Sequence, residues 1–142
     1  MDKTQIELKH EIESQVRQHF NALKKVNAQK KTLRFEQVAE HEFDLYDPQK
    51  VIGGITTSPW KNKTGSNNTG GQDRISAELL WLSVWEGEER RVMILTDQEM
   101  ATKIFSRWKG CRFHRPVEIV CFNPADQSFR LIGKLSDQKE AE

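Results

Sequence analysis

The sequence predicts an α/β fold in which a mixed central β-sheet is flanked by helices. Three segments carry apolar residues at helical spacing, and strand-like runs of apolar and β-branched residues lie between them. Helical and strand-like segments therefore follow one another along the chain, and strand–helix–strand units favour a sheet covered by helices. The length of 142 residues fits a single domain over residues 1–142.

The first predicted helix spans residues 4–28. Thr4 and Glu7 have the spacing of a capping box, in which each side chain bonds to the other's backbone N–H. The apolar residues that follow at helical intervals are Ile12, Val16, Phe20, Leu23 and Val26. The remaining positions are polar, so we expect this helix to lie on the surface of the domain.

Two long strands are predicted next. Residues 33–46 form one strand-like stretch, in which apolar and polar residues alternate towards its end. A turn over residues 47–50, which includes Pro48, leads into a second strand over residues 51–57. The two strands are close enough in sequence to form an antiparallel hairpin.

A loop and a buried helix follow the hairpin. Residues 59–72 are rich in glycine, serine and amide side chains, and we expect them to form a long mobile loop. The second helix is predicted from residue 73 or 74 to residue 85. Its apolar residues leave little polar face, so we expect it to be largely buried; they are Ile75, Leu79, Leu80, Leu82 and Val84.

The last third of the chain contains one more helix between short strands. Thr96 is predicted to cap this helix, with Glu99 at the capping-box position. The predicted strands are residues 91–95, 117–122 and 129–132. Residues 137–142 are expected to be a frayed tail.

Composition restricts the function more than it identifies it. The net charge of +1 excludes a globally basic nucleic-acid binder but leaves room for local basic patches. Apolar runs are too short to span a bilayer, so no membrane association is predicted. The N-terminal residues are too polar for a signal peptide, and two cysteines are too few for a disulfide framework. We therefore expect a cytoplasmic protein. The four histidines lack the spacing of a zinc site.

Three acidic residues alternate along the first predicted strand. Glu40, Glu42 and Asp44 are two positions apart, so their side chains are expected to share a face. Such a row is self-repulsive unless a cation neutralises it, and Mg²⁺ prefers carboxylate oxygens. The alternative is a polar strand face exposed to solvent. His41 is expected not to act together with Glu42, because adjacent strand residues point to opposite faces.

The segment AEHEFDLYDPQKVIGGITTS, residues 39–58, resembles the catalytic hairpin of the PD-(D/E)XK superfamily, the restriction-endonuclease-like nucleases. The resemblance implies an αβββαβ core and covers residues 5–122, mainly as an order of elements. It implies that Asp44 is the first acid of a Mg²⁺ site that hydrolyses phosphodiester bonds. In the superfamily, a Glu-x-Lys on the next strand completes that site.

The chain departs from the superfamily at this second motif. The Glu-x-Lys falls on Gly54-Ile55-Thr56, which offers neither a carboxylate for the metal nor an amine for the developing charge. The site is therefore either inactive or built from relocated residues. The candidates for relocation are Glu40 or Glu42 as the second acid and Lys61 or Lys63 as the amine.

Glu78 on the second helix is another candidate acid. Arg74 lies one turn before it, so an ion pair between them is the alternative interpretation.

Aromatic and basic residues next to the loop predict contacts with nucleic acid. Trp60 is expected to stack on bases, and Lys61, Lys63 and Arg74 are expected to contact phosphate groups. The alternative is a solvated loop. The sequence therefore favours a nucleic-acid-acting nuclease domain or a catalytically degraded relative of one. The other hypothesis is a non-enzymatic protein-interaction module, either a homo-oligomer or a subunit of a larger complex.

Overall fold

The computed structural model describes residues 4–36 and 38–136, and the predicted frayed tail lies outside these residues. Six strands form one mixed sheet in the order β1-β2-β3-β4-β5-β6, and three helices flank it. The predicted α/β class is confirmed. The elements are α1 (Gln5–Lys24), β1 (Gln29–Phe35), β2 (Ala39–Asp47), β3 (Val51–Thr56), α2 (Thr69–Val84), β4 (Arg90–Leu95), α3 (Gln98–Trp108), β5 (Val117–Asn123) and β6 (Ser128–Leu135).

The centre of the sheet is parallel and its two sides are antiparallel. Strands β3, β4 and β5 run parallel because α2 and α3 form the crossovers between them, and almost all of their residues are buried. Strands β1 and β2 extend the sheet on one side and β6 on the other, each pairing antiparallel. The carboxyl ends of the three parallel strands therefore meet at one edge of the sheet.

Each face of the sheet has its own apolar layer. Residues such as Ile52 and Met93 pack against α2 and α3, whereas neighbours such as Val51 and Val92 pack against α1. This alternation follows from the two-residue period of side chains along a strand.

Helix α1 begins where the sequence predicts and ends earlier. The capping box between Thr4 and Glu7 is present. The helix ends at Lys24 instead of residue 28, because Lys25 adopts a left-handed conformation with φ of 56°. The side chain of Asn21 then bonds to both the N–H and the C=O of Ala28, at 2.9 and 3.0 Å, and fixes the chain's exit from the helix.

The predicted strand over residues 33–46 is wrong, because this stretch contains a reversal that separates β1 from β2. The backbone turns at Glu36, which adopts a left-handed conformation with φ of 52°, and the N–H of Val38 bonds to the carbonyl of Phe35. Glycine, proline or asparagine would have marked such a turn in the sequence. Strand β1 begins at Gln29, directly after the end predicted for the first helix and four residues before the predicted start of the strand.

Helix α2 begins at Thr69, four residues before its predicted start, so the preceding loop is residues 57–68. Asn68 caps the helix by accepting a hydrogen bond from the N–H of Gly71 at 3.0 Å. The expectation that α2 is largely buried is wrong on its outer side: the exposed fractions of Leu80 and Val84 are 64% and 48%.

The buried guanidinium of Arg91 holds the carboxyl end of α2. It donates hydrogen bonds to the carbonyl oxygens of Leu82 and Glu89, at 2.7 and 2.8 Å, and also to that of Trp85. The last carbonyls of a helix lack partners within the helix, so this side chain satisfies groups that burial would otherwise leave unpaired.

Helix α3 is capped by Asp97 and not by Thr96. The carboxylate of Asp97 accepts the N–H of Met100 at 3.0 Å and also the N–H of Trp60 at 2.9 Å, so it ties the loop over residues 57–68 to this helix. The helical spacing of Met100, Ile104, Phe105 and Trp108 predicts the core stripe of this helix. Met100 and Ile104 are fully buried, and Phe105 and Trp108 are partly buried.

Both cysteines, Cys111 and Cys121, are unbridged. In the described part of the chain, no helix is both long enough and apolar enough to cross a lipid bilayer.

We predict that Gly53→Ala destabilises the domain by about 1–3 kcal/mol. A Cβ atom at this position would lie 2.6 Å from Cγ1 of Val92 and would also overlap its carbonyl oxygen, and backbone cannot move aside cheaply. Urea unfolding measures the change. The matched control is Gly110→Ala, since nothing lies within 4 Å of a Cβ atom there. Equal unfolding midpoints for the two variants would contradict the prediction.

Candidate functional site

Strands β2 and β3 diverge at Asp44 and form a fork. They pair from Leu45 to Asp47 on β2, and the earlier residues of β2 pair with β1. At the branch point the carboxylate of Asp44 accepts the backbone N–H of Ile55 at 2.8 Å. This carboxylate thus accepts the hydrogen bond that a backbone carbonyl of a neighbouring strand would otherwise accept from Ile55.

A β-bulge accompanies the fork. The stretch of β2 from Phe43 to Tyr46 is one residue longer than the stretch of β1 that pairs with it. Phe43 belongs to the layer next to α2 and α3, whereas Leu45 belongs to the layer next to α1, although a regular strand would put both on one face. The bulge therefore redirects the side chains around Asp44.

Glu78 on α2 fills the space above Gly54. A Cβ atom at Gly54 would lie 2.8 Å from Cγ of Glu78 and 2.9 Å from its Oε1. The carboxylate of a helix residue thus occupies the position that a side chain on β3 would take. A side chain at residue 54 would force the side chain of Glu78 to move.

Glu78 is paired with His41 and not with Arg74. His41 Nε2 and Glu78 Oε2 are 2.6 Å apart, whereas Arg74 approaches the hydroxyl of Ser58 at 3.5 Å. The expected ion pair between Glu78 and Arg74 is therefore not formed. The other oxygen of Glu78, Oε1, is buried with no hydrogen-bond partner among the described residues.

Burial, with smaller contributions from neighbouring acids, raises the pKa values of three carboxyl groups around the fork. Burial, with a contribution from the charge of Asp44, raises the pKa of Glu78 to about 8. Burial also raises the pKa of Asp44, although the N–H of Ile55 opposes this, and raises the pKa of Glu13 on α1 with a further contribution from Asp44. These acids therefore lie in an environment that disfavours their negative charges.

A cavity of about 130 Å³ opens between Asp44 and Glu78, and we call it the fork pocket. Lys9 of α1 and Arg74 of α2 bring positive charge to its wall, and Thr56 adds a hydroxyl. Ile55 and Thr56 place the pocket at the carboxyl end of β3, and the carboxyl ends of parallel strands are where ligands commonly bind. Two carboxyl groups with raised pKa values thus line one small space, and two basic residues contribute to its wall.

Two larger depressions lie at the opposite edge of the sheet. One, of about 320 Å³, is mainly apolar, and the other, of about 490 Å³, is mainly polar. Glu118 lines both and is paired with Arg90, while Glu89 accepts hydrogen bonds from Gln49 and Trp85. Because these acids already have partners, neither depression offers the unsatisfied carboxylate that the fork pocket has.

The predicted acidic row is not assembled into one site. Glu40 pairs with Arg34 at 3.5 Å and Glu42 with Lys30 at 3.7 Å, and both acids are more than half exposed. Only Asp44 of the row lines the fork pocket. Over residues 4–36 and 38–136, no group of three or more His, Cys, Asp or Glu side chains is arranged to hold a metal ion.

The predicted loop lysines do not line the fork pocket. Lys61 donates a hydrogen bond to the side chain of Asn67 at 2.8 Å, and the backbones of these two residues form a bridge. Lys63 is exposed, and Trp60 packs against the apolar core, with the amine of Lys103 5.8 Å from the centre of its ring. Arg74 is the one predicted phosphate-binding residue in the pocket wall.

Three residues of this region, Glu13, Lys9 and His41, are not predicted as site residues by the sequence. Glu13 is a buried acid within the apolar stripe of α1, and Lys9 lies one turn before it on the same helix. The position of Glu13 between the apolar residues Ile12 and Val16 indicates that it differs from the surface acids, because buried acids are rare unless they are paired. His41 was dismissed because only its strand neighbours were considered.

No family model, curated protein or solved structure matches this chain. The chemistry of the site is therefore inferred from its own residues.

We predict that Glu78→Gln flattens the pH dependence of stability. The unfolded carboxyl group ionises near its ordinary pKa of 4.5, but the folded one stays protonated up to about 8. The folded state thus binds more protons between these values, and the free energy of unfolding falls as pH rises, by up to about 1.4 kcal/mol per pH unit. Urea unfolding from about pH 5 to about pH 8 measures the slope.

The control for this experiment is Glu86→Gln, an exposed glutamate just after α2. Its pH profile should run parallel to that of the unchanged protein. If the Glu78→Gln profile is also parallel to that of the unchanged protein, the carboxyl group of Glu78 is not desolvated, contrary to what the structure indicates.

Proposed function

We propose that this chain is a restriction-endonuclease-like domain that hydrolyses phosphodiester bonds of nucleic acid with Mg²⁺ held by Asp44 and Glu78. One observation carries the proposal. The carboxylate of Glu78 lies over Gly54, the position at which the PD-(D/E)XK hairpin would carry its second acid. The missing acid of the motif is thus supplied from α2, and it shares the fork pocket with Asp44.

The residues of the fork pocket fit a divalent cation of this kind. Mg²⁺ usually keeps several waters and binds proteins through one or two carboxylates, so a three-acid cluster is not required. Glu78 offers the unpaired oxygen Oε1. Burial is the main cause that raises the pKa values of both acids, and a cation bound between them would compensate the charges that this burial disfavours.

A bound Mg²⁺ would supply Lewis acidity towards a phosphoryl oxygen and lower the pKa of a water molecule. The residues of the fork pocket would position the phosphate group and the water molecule. Asp44 is held by the N–H of Ile55, and Lys9, which lines the same pocket, would supply the amine that Thr56 cannot. Arg74 provides a planar group that can bind phosphate through two hydrogen bonds.

The loop over residues 57–68 is the proposed path for the rest of the nucleic acid. Ser58, at the start of this loop, lines the fork pocket, so Trp60, Lys61 and Lys63 follow closely in the chain. Lys61 and Lys63 would contact phosphate groups beside the one being cleaved, and the part of the Trp60 side chain that is not packed against the core would contact a base. With a net charge of only +1, binding depends on this local charge and weakens steeply with salt.

The second candidate function is a protein-interaction module, and the outer face of α2 favours it. Leu80 and Val84 are exposed there and lie one helical turn apart. An apolar surface of this kind is common at protein–protein contacts. A stable oligomer on a sizing column, together with no cleavage of any nucleic acid, would favour this function.

For either function we propose a cytoplasmic location, in which both cysteines stay reduced.

We predict that Asp44→Asn lowers Mg²⁺-dependent cleavage by ~100-fold or more. The amide keeps the shape of the side chain but removes the negative charge that would bind the cation. Cleavage of single- and double-stranded DNA and RNA is measured with and without Mg²⁺. Glu42→Gln is the comparison on the same strand, and its exposed, surface-paired side chain predicts near-normal activity. No cleavage by the unchanged protein with any divalent metal would contradict the nuclease proposal.

We also predict that moving the acid back to the strand restores activity. Glu78→Ala should abolish cleavage, and the double variant Gly54→Glu with Glu78→Ala should regain part of it, because the strand residue then fills the emptied space. Gly54→Glu alone should be destabilised by the clash with Glu78. Cleavage rates are compared after circular dichroism shows that each variant is folded. A folded double variant no more active than Glu78→Ala would refute the assignment.

A further inference from the structure

His41 is a half-buried titratable residue at the fork that the proposed function leaves without a role. It lies on β2, three positions before Asp44, and 21% of its side chain is exposed. Its ring stacks flat on Trp81, with 4.7 Å between ring centres and 8° between planes. Its edge also packs against Phe43, again with 4.7 Å between ring centres and with 85° between planes.

These two aromatic contacts fix the direction of the imidazole ring. A ring held on its face by one neighbour and on its edge by another has little freedom to rotate. In this fixed orientation Nε2 lies 2.6 Å from Oε2 of Glu78. His41 and Glu78 are distant in sequence, so the packing of β2 against α2 creates this pair.

The pairing gives the two carboxylate oxygens of Glu78 different surroundings. Oε2 is held by His41, while Oε1 is buried without a partner and lies against Gly54. A carboxylate held at one oxygen presents the other in a constant direction. Hydrogen bonds of this kind orient metal-binding side chains in many proteins, and their loss weakens metal affinity.

We infer that His41 is the positioning residue of the fork pocket: it holds Oε2 of Glu78 so that Oε1 is directed to bind a divalent cation. The inference rests on the proposed function, because it assigns Glu78 the role of a ligand. It adds a residue that belongs to neither strand motif of the nuclease hairpin.

Two substitutions separate the hydrogen bond from the packing. His41→Phe keeps an aromatic ring on Trp81 but removes the hydrogen bond, whereas His41→Gln places an amide N–H near the position of Nε2. Calorimetric titration of the full chain with Mn²⁺, in the absence of nucleic acid, measures cation affinity directly. We expect His41→Phe to weaken Mn²⁺ binding by about 10–100-fold and His41→Gln to retain most of it. His114→Phe, at an exposed histidine outside the fork pocket, should bind as the unchanged protein does.

Each outcome decides the inference. A folded His41→Phe variant with unchanged Mn²⁺ affinity overturns it. Equal weakening in His41→Phe and His41→Gln overturns it as well, because a restored amide N–H would then not restore the affinity. No Mn²⁺ binding by the unchanged protein overturns both the inference and the proposed metal site. The expected order of affinities without any cleavage of nucleic acid supports the positioning role and overturns only the nuclease activity.

Discussion

The hydrogen bond from the N–H of Ile55 to the carboxylate of Asp44 makes the fork between β2 and β3 stable. Ile55 is buried, and an unpaired buried N–H costs roughly 1–3 kcal/mol, so two strands can separate within a core only where something replaces the lost backbone partner. Asp44 provides this replacement from within β2 itself. The divergence leaves the gap that becomes the fork pocket, and both α1 and α2 contribute side chains to it.

The second constraint is steric and couples a glycine to an acid on another element. Gly54 carries no side chain, and the carboxylate of Glu78 fills the resulting space. In a nuclease hairpin this glycine would indicate a lost site. In the folded chain it is the condition that lets an acid approach from α2. The cap at Asn68 and the clamp at Arg91 fix the ends of that helix and hence the position of the acid.

The buried carboxyl groups around the fork oppose the stability of the fold. Three carboxyl groups with raised pKa values share one region, and the pKa of His41 is lowered by burial, which Asp44 and Glu42 oppose. Burying acids without a full set of partners costs free energy that apolar residues of similar volume would not. Perturbed titratable groups that gather around a pocket are typical of functional sites, where such a cost is tolerated because a ligand compensates it.

The sequence by itself determined the α/β class, the capped start of α1 and the core stripe of α3, because helical periodicity, strand alternation and caps are local. It did not determine the reversal at Glu36, since no turn-forming residue marks it there. The pairing of Glu78 with His41 was equally hidden, because 37 positions separate these residues and only the packing of α2 against the sheet joins them. Local chemistry thus defined the elements, and the tertiary structure alone decided which charges share the fork pocket.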